Sequence, residues 1–289
     1  MSFCNDPVEV PGPNAAELVT FIHPPIDEVA LAVQFAPQTV DFMQASHLRD
    51  RLKDRFPTRQ EHQARPPMSE DFTDPAERPP VQFEVVNVPS MPRFWFVSAD
   101  ESELVQLQHD VLIYNWRRRA VDAQYPGYTA VRASMEEMLG QLKEVLAADD
   151  ERPSALTPNW CEVTYVNQIA PPEGSIDRPP LSRLLRGVKR PRQDSLLPET
   201  DDAQIHLRWT IPGDKEPLGR LTVALSSATR LATRVPIWAM SLTTRILAAD
   251  EGIDAALGAL DDGHDWTYRA FIELTSEEMH AYWQNEGWR

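Results

Sequence analysis

Residues 93–116 read RFWFVSADESELVQLQHDVLIYNW, and this stretch decides the fold. Arg93–Ser98 is aromatic-rich, and Leu104–Leu107 and Val111–Trp116 are short apolar runs. Polar turns at Ala99–Ser102 and His109–Asp110 separate them. A parallel crossover takes a dozen residues or more, so strands joined by turns this short run antiparallel, as a meander.

Downstream the period changes. Tyr125-Pro126-Gly127-Tyr128 breaks the sheet, and Val131, Met135, Met138, Leu139, Leu142, Val145 and Leu146 then recur at helical spacing up to Asp149-Asp150. A second pass follows. Trp160–Ile169, Gln204–Ile211, Leu218–Ser226 and Pro236–Ile246 read as strands, and Ile253–Leu274 as a long helix with Leu257, Leu260, His264, Thr267, Phe271 and Leu274 inward. Thr275-Ser276-Glu277-Glu278 reads as a capping box opening a short last helix, which it explains without any chemical role for Glu278.

Upstream, Ile26–Phe35 is a strand ending at Pro37, and Thr39–Phe56 an amphipathic helix with Asp41 in its first turn. Residues 57–80 carry six prolines among charges and read as a connector outside the core, an insertion. Val81–Val88 alternates and reads as a further strand. The expected class is α+β: a meandering antiparallel sheet covered by long amphipathic helices, in a helix-grip-like manner. Residues 1–22 are expected to form a flexible lead-in, 23–170 a first half, 171–202 a loop rich in Pro and Arg, and 203–289 a second half packed on the first as one unit. Both halves end a strand run with a long helix, but no sequence repeat accompanies this.

With 42 % hydrophobic and 25 % charged residues, the chain has ordinary globular composition, which excludes global disorder. A formal charge of −16, from 44 acidic against 28 basic residues, repels phosphate backbones on average. Cys4 and Cys161 are isolated, as in a reduced cytosolic protein, and have no zinc spacing. No run approaches the ~18 apolar residues of a membrane span, and Met1–Asn14 lacks a signal-peptide pattern. The expected location is therefore the cytoplasm, away from membranes.

Neither a glycine-rich phosphate loop nor a Gly-x-Ser-x-Gly elbow is present, and no cofactor is expected. Asp261, Asp262, His264 and Asp265 cluster, and Asp261 and His264 at three apart suit a shared metal. The preferred reading is a core-facing histidine hydrogen-bonded to a nearby acid, so no metal is expected. Arg178, Arg183, Arg186, Lys189, Arg190 and Arg192 form a basic window for an anion or nucleic acid, since guanidinium groups grip phosphate bidentately. Against that stands a solvated loop, or one paired with the protein's own acidic surface, and this is favoured. Arg117-Arg118-Arg119 ends a strand and adds to the basic side of the balance.

Several motifs form a series: Pro24-Pro25-Ile26 with Glu28-Val29 and Gln34-Phe35-Ala36-Pro37; Arg93–Ser98; Leu104–Gln108; Asn115-Trp116-Arg117; Tyr125–Tyr128; and Tyr165–Ile169. A weaker likeness continues at His264 and Phe271–Thr275. The series resembles a sporadically distributed bacterial family of stand-alone proteins without assigned function, over roughly residues 23–283. Segments 57–80 and 171–202 depart most from it. The resemblance implies a prokaryotic accessory protein, with defence or toxin neutralisation as the associated role, and transfers no catalytic residues.

The leading expectation is a non-enzymatic binding or regulatory protein whose ligand is a partner protein or small molecule. The alternative is an enzyme whose site is assembled on the sheet from Tyr165, Asn167, His206 and Arg208, with Trp116 as a further pocket candidate. Nucleic-acid binding through the arginine loop ranks last.

Overall fold

The apolar runs of Arg93–Trp116 become three neighbouring strands of a nine-stranded sheet. A computed structural model describes residues 21–37, 39–73, 91–120, 122–149, 156–171, 177–189, 196–231 and 233–284. In order these form β1 (Ile26–Phe35), α1 (Phe42–Leu52), β2 (Thr58–His62), β3 (Arg93–Val97), β4 (Glu103–Gln108), β5 (Val111–Arg117) and α2 (Tyr128–Ala147). Then come β6 (Pro158–Ile169), α3 (Leu181–Leu184), β7 (Gln204–Ile211), β8 (Gly219–Thr229), β9 (Pro236–Leu247), α4 (Ile253–Leu274) and α5 (Glu277–Gln284). The expected Val81–Val88 strand lies outside the described residues.

The fold is α+β, with one antiparallel sheet in the order β2-β3-β4-β5-β1-β6-β9-β8-β7. Every strand pair is antiparallel. The sheet runs unbroken across the two expected halves, because β6 of the first pairs with β9 of the second. No helix among the described residues is long and apolar enough to cross a membrane.

Alternate residues give the sheet two faces. Val29, Leu31, Val33 and Phe35 of β1, Tyr114 of β5, Val163 of β6 and Leu242 of β9 lie in one core with Met135, Met138, Leu139 and Leu142 of α2 and Leu257 and Leu260 of α4. Fully burying a side chain of this kind contributes about 1.5–3 kcal/mol. Helix α4 sits close on the strands. A Cβ at Gly263 would meet Thr244 Oγ1 at 2.9 Å and Val163 Cγ2 at 3.0 Å, and Thr244 Oγ1 donates to the Gly263 carbonyl at 2.8 Å.

Four expectations change. The first helix is shorter than Thr39–Phe56, because Asp41 caps it from outside by accepting from the Met43 and Gln44 amides, and Gln44 returns a bond to the Asp41 amide. The segment 57–80 is not all connector. Thr58–His62 pairs with β3 as the edge strand, and Met68 is buried against Ala32, Val111 and Ile113. The loop at 171–202 contains α3, whose Leu181 and Leu184 are buried. At the last helix the capping oxygen belongs to Ser276, which accepts from the Met279 amide. Thr275 instead donates to the Phe271 carbonyl, and Glu278 pairs with Arg183 at 2.9 Å.

Candidate functional site

The face away from the helices is built in transverse rows by the strand register. Ala32, Glu162, Arg245, Arg220 and Thr210 form one row, taken in order across β1, β6, β9, β8 and β7. The next is Ala30, Thr164, Thr243, Thr222 and Arg208, and the third is Glu28, Val166, Ser241, Ala224 and His206. Side chains are long in the first row and short in the middle of the other two. The face is therefore high at one end and hollow beyond it.

Residues 63–73, after β2, lie as a strap across the high end. Gln108 accepts from the Arg65 amide at 3.0 Å and donates to the Arg65 carbonyl at 3.1 Å. Gln34 treats Met68 the same way, accepting from its amide and donating to its carbonyl at 3.0 Å. A carboxamide carries one acceptor and a donor pair, so each glutamine imitates a neighbouring strand's backbone. The strap thus satisfies its buried peptide groups without belonging to the sheet.

Past Met68 the strap delivers Glu70 into three guanidinium groups. Glu70 Oε2 accepts from Arg208 at 2.6 Å and Arg220 at 2.9 Å, and Oε1 from Arg245 at 3.0 Å. The Glu70 side chain is only 5 % exposed. Arg245 also donates to Glu162 at 2.6 Å, Arg65 lies 3.8 Å from Glu162, and Arg220 packs over the Phe72 ring while donating to the Asp71 carbonyl. Burial acts against the Arg245 charge, but Glu162 and Glu70 together push its pKa above the ordinary value.

Beyond the strap the short side chains leave a hollow of about 470 Å³, lined by Val166, Gln204, His206, Ala224, Ser226 and Ser241 among others. Its floor carries two serine hydroxyls, and Thr164 and Thr243, bonded to each other at 2.9 Å, lie between it and the first row.

At the hollow's other flank the β1–β6 register shifts between Ile26 and Glu28. The bulge at Asp27 brings two consecutive acids against polar partners. Gln168 donates to Asp27 at 2.8 Å and Asn115 to Glu28 at 2.6 Å. Burial raises both carboxyl pKa values, opposed at Asp27 by Arg118 and Arg230 and at Glu28 by the Asn115 bond and Arg117.

The expected pocket residues do not converge. Tyr165, Asn167 and Trp116 are buried on the helix side, whereas His206 and Arg208 stand exposed on the strap side of β7. Tyr165 meets His264 Nδ1 at 2.9 Å and the Tyr125 hydroxyl at 3.1 Å, and Trp116 packs on Tyr125. Asn167 donates to the Met240 carbonyl at 3.3 Å. His264 stacks on Tyr128, and its bonded partner is a tyrosine rather than the expected acid. Asp261 instead accepts from Tyr128 and holds Arg132 at 2.7 and 3.0 Å. Burial lowers the His264 pKa to about 4 against the pull of Asp265 and Asp261, and raises that of Cys161 to about 12.

Within the arginine loop, Arg178 packs over Trp238 and donates to the Asp201 carbonyl, Arg183 pairs with Glu278, and Arg186 donates to the Thr275 carbonyl at 2.8 Å. Lys189 is exposed, and Arg190 and Arg192 lie outside the described residues. Arg117, Arg118 and Arg119 donate to the carbonyls of Glu101, Pro24 and Glu101. Among the described residues no group of three or more His, Cys, Asp or Glu is placed to hold a metal.

Sequence reasoning missed Glu70, Arg220 and Arg245. The two arginines occupy the polar phase of alternating strands, where an arginine usually reads as solvated. Glu70 sits in a segment without period.

The chain matches no family model and no curated protein.

Proposed function

We propose that the chain is a non-enzymatic binding protein that holds a small polar molecule in the hollow on the strap side of the sheet. The observation that carries this reading is the 470 Å³ hollow itself, floored by Ser226, Ser241, Ala224 and Val166 on paired strands. Strand-borne hydroxyls are fixed in direction, which suits selective hydrogen bonding at low ordering cost. Its volume lies within the range of small-molecule sites, roughly 300–1,000 Å³.

A helix-grip-like reading places the ligand between sheet and helices. There α2 and α4 already bury Met135, Met138, Leu139, Leu142, Leu257 and Leu260, so the strap side supports binding better. The strand order outward from the centre is β1, β5, β4, β3, β2 on one side and β6, β9, β8, β7 on the other, with α2 after β5 and α4 after β9. This supports reading the chain as two halves of one pattern. Apart from Val166, the lining of the hollow then belongs to the second half.

Saturation-transfer NMR with a mixture of polar metabolites tests the reading, using Ala224→Trp to fill the floor. Saturation of at least one compound by the wild type, lost in the folded variant, is the expected result. No saturated compound, or equal saturation in the variant, contradicts it.

A further inference from the structure

The network beneath the strap gathers arginines from several strands. Among the described residues its ion pairs join four guanidinium groups, those of Arg65, Arg208, Arg220 and Arg245, to two carboxylates, those of Glu70 and Glu162. That concentration of guanidinium groups sits in a chain whose formal charge is −16.

The geometry is also that of a receptor. Three guanidinium groups from three adjacent strands converge on the end of a single carboxylate, and two of them share one oxygen. A carboxylate presents two oxygens, whereas a phosphoryl group presents three, and guanidinium forks match both. Arg208 is 42 % exposed, so the cluster can be approached from solvent.

Its position relates it to the hollow. Arg220 leads through Thr222 to Ala224, and Arg245 through Thr243 to Ser241, along the same face of β8 and β9. Four strand residues span about 13 Å. A molecule with an anionic group among the arginines and a polar body in the hollow has the length of a phosphorylated sugar or nucleoside.

We propose that Arg208, Arg220 and Arg245 form an oxyanion site whose built-in occupant is Glu70, and that an oxyanion-bearing ligand of the hollow takes its place. Glu70 then acts as an internal competitor that sets the threshold for binding. This deepens the proposed function and rests on it for the ligand's body; the anion site itself is tested apart from the hollow.

The experiment is a calorimetric titration of wild type, Glu70→Ala and Glu70→Gln with inorganic phosphate and with acetate, using chloride at matched ionic strength as control. Saturable phosphate or acetate binding by Glu70→Ala, at least tenfold tighter than by the wild type and abolished by adding Arg220→Met, is the expected result. Acetate matching phosphate assigns a carboxylate ligand; phosphate tighter by tenfold or more assigns a phosphoryl ligand. Should Glu70→Ala fail to fold, Glu70→Gln, which keeps the shape and removes the charge, gives the same reading. Binding no tighter than in wild type, equal to chloride, or surviving Arg220→Met overturns the site. Ala224→Trp does not alter the phosphate titration, since inorganic phosphate does not reach the hollow. Failure of the hollow therefore leaves the anion site readable, and failure of the anion site leaves the metabolite test standing.

Discussion

His264 lies between Tyr128, stacked on its ring at 3.8 Å, and Tyr165, whose hydroxyl meets Nδ1 at 2.9 Å, with Asp261 and Asp265 nearby on α4. Burial outweighs the two acids and holds its pKa down at about 4. The unfolded chain, near 6.5, therefore takes up a proton first as pH falls. The histidine's contribution is complete above about pH 6.5 and is lost progressively toward pH 4. Between pH 7.5 and pH 5 the loss is about 2 kcal/mol. Urea titrations across that range should show His264→Gln losing about that much less stability than the wild type. Equal losses in both proteins contradict the buried neutral histidine.

Among the elements, the strap depends on two side chains for its place. Gln34 is 5 % exposed and serves both peptide groups of Met68, besides donating to Asn159 at 3.0 Å. Gln34→Leu keeps the volume and leaves a buried amide and carbonyl unpaired, at a cost of about 2–4 kcal/mol. Urea denaturation should show that cost, and hydrogen exchange at the Met68 amide should rise. Unchanged stability and exchange would mean that the strap does not rest on β1. The sequence reveals such an element poorly. The stripes of α2 and α4 are legible because one face of each is buried and their period shows it, and β4 and β5 because burial on both faces makes them short apolar runs between polar turns. β2, with the sequence TRQEH, is an edge strand exposed along most of its length, so no apolar alternation marks it. The strap has no regular backbone bonds, hence no period, and its anchors are glutamines from distant strands.

Over the whole molecule, one continuous sheet divides two kinds of chemistry. The helix side is a packed core that includes the tyrosine–histidine cluster, and the other side is polar, partly open and crossed by residues 63–73. Grouping Tyr165 and Asn167 with His206 and Arg208 fails at this scale. Alternation within a strand tells which residues share a face, but matching β6 to β7 needs the register through β9 and β8. The sequence does not carry that register. The sequence does place His206 and Arg208 on a strand, and that strand borders both the hollow and the arginine cluster. The central claim is that the strap closes the polar face by lodging Glu70 among arginines from β7, β8 and β9. A double-mutant cycle of Glu70→Gln and Arg220→Met, read by urea denaturation at low salt, tests it most directly. The account predicts a coupling of about 1–3 kcal/mol between the two sites. Additivity within about 0.5 kcal/mol would contradict it.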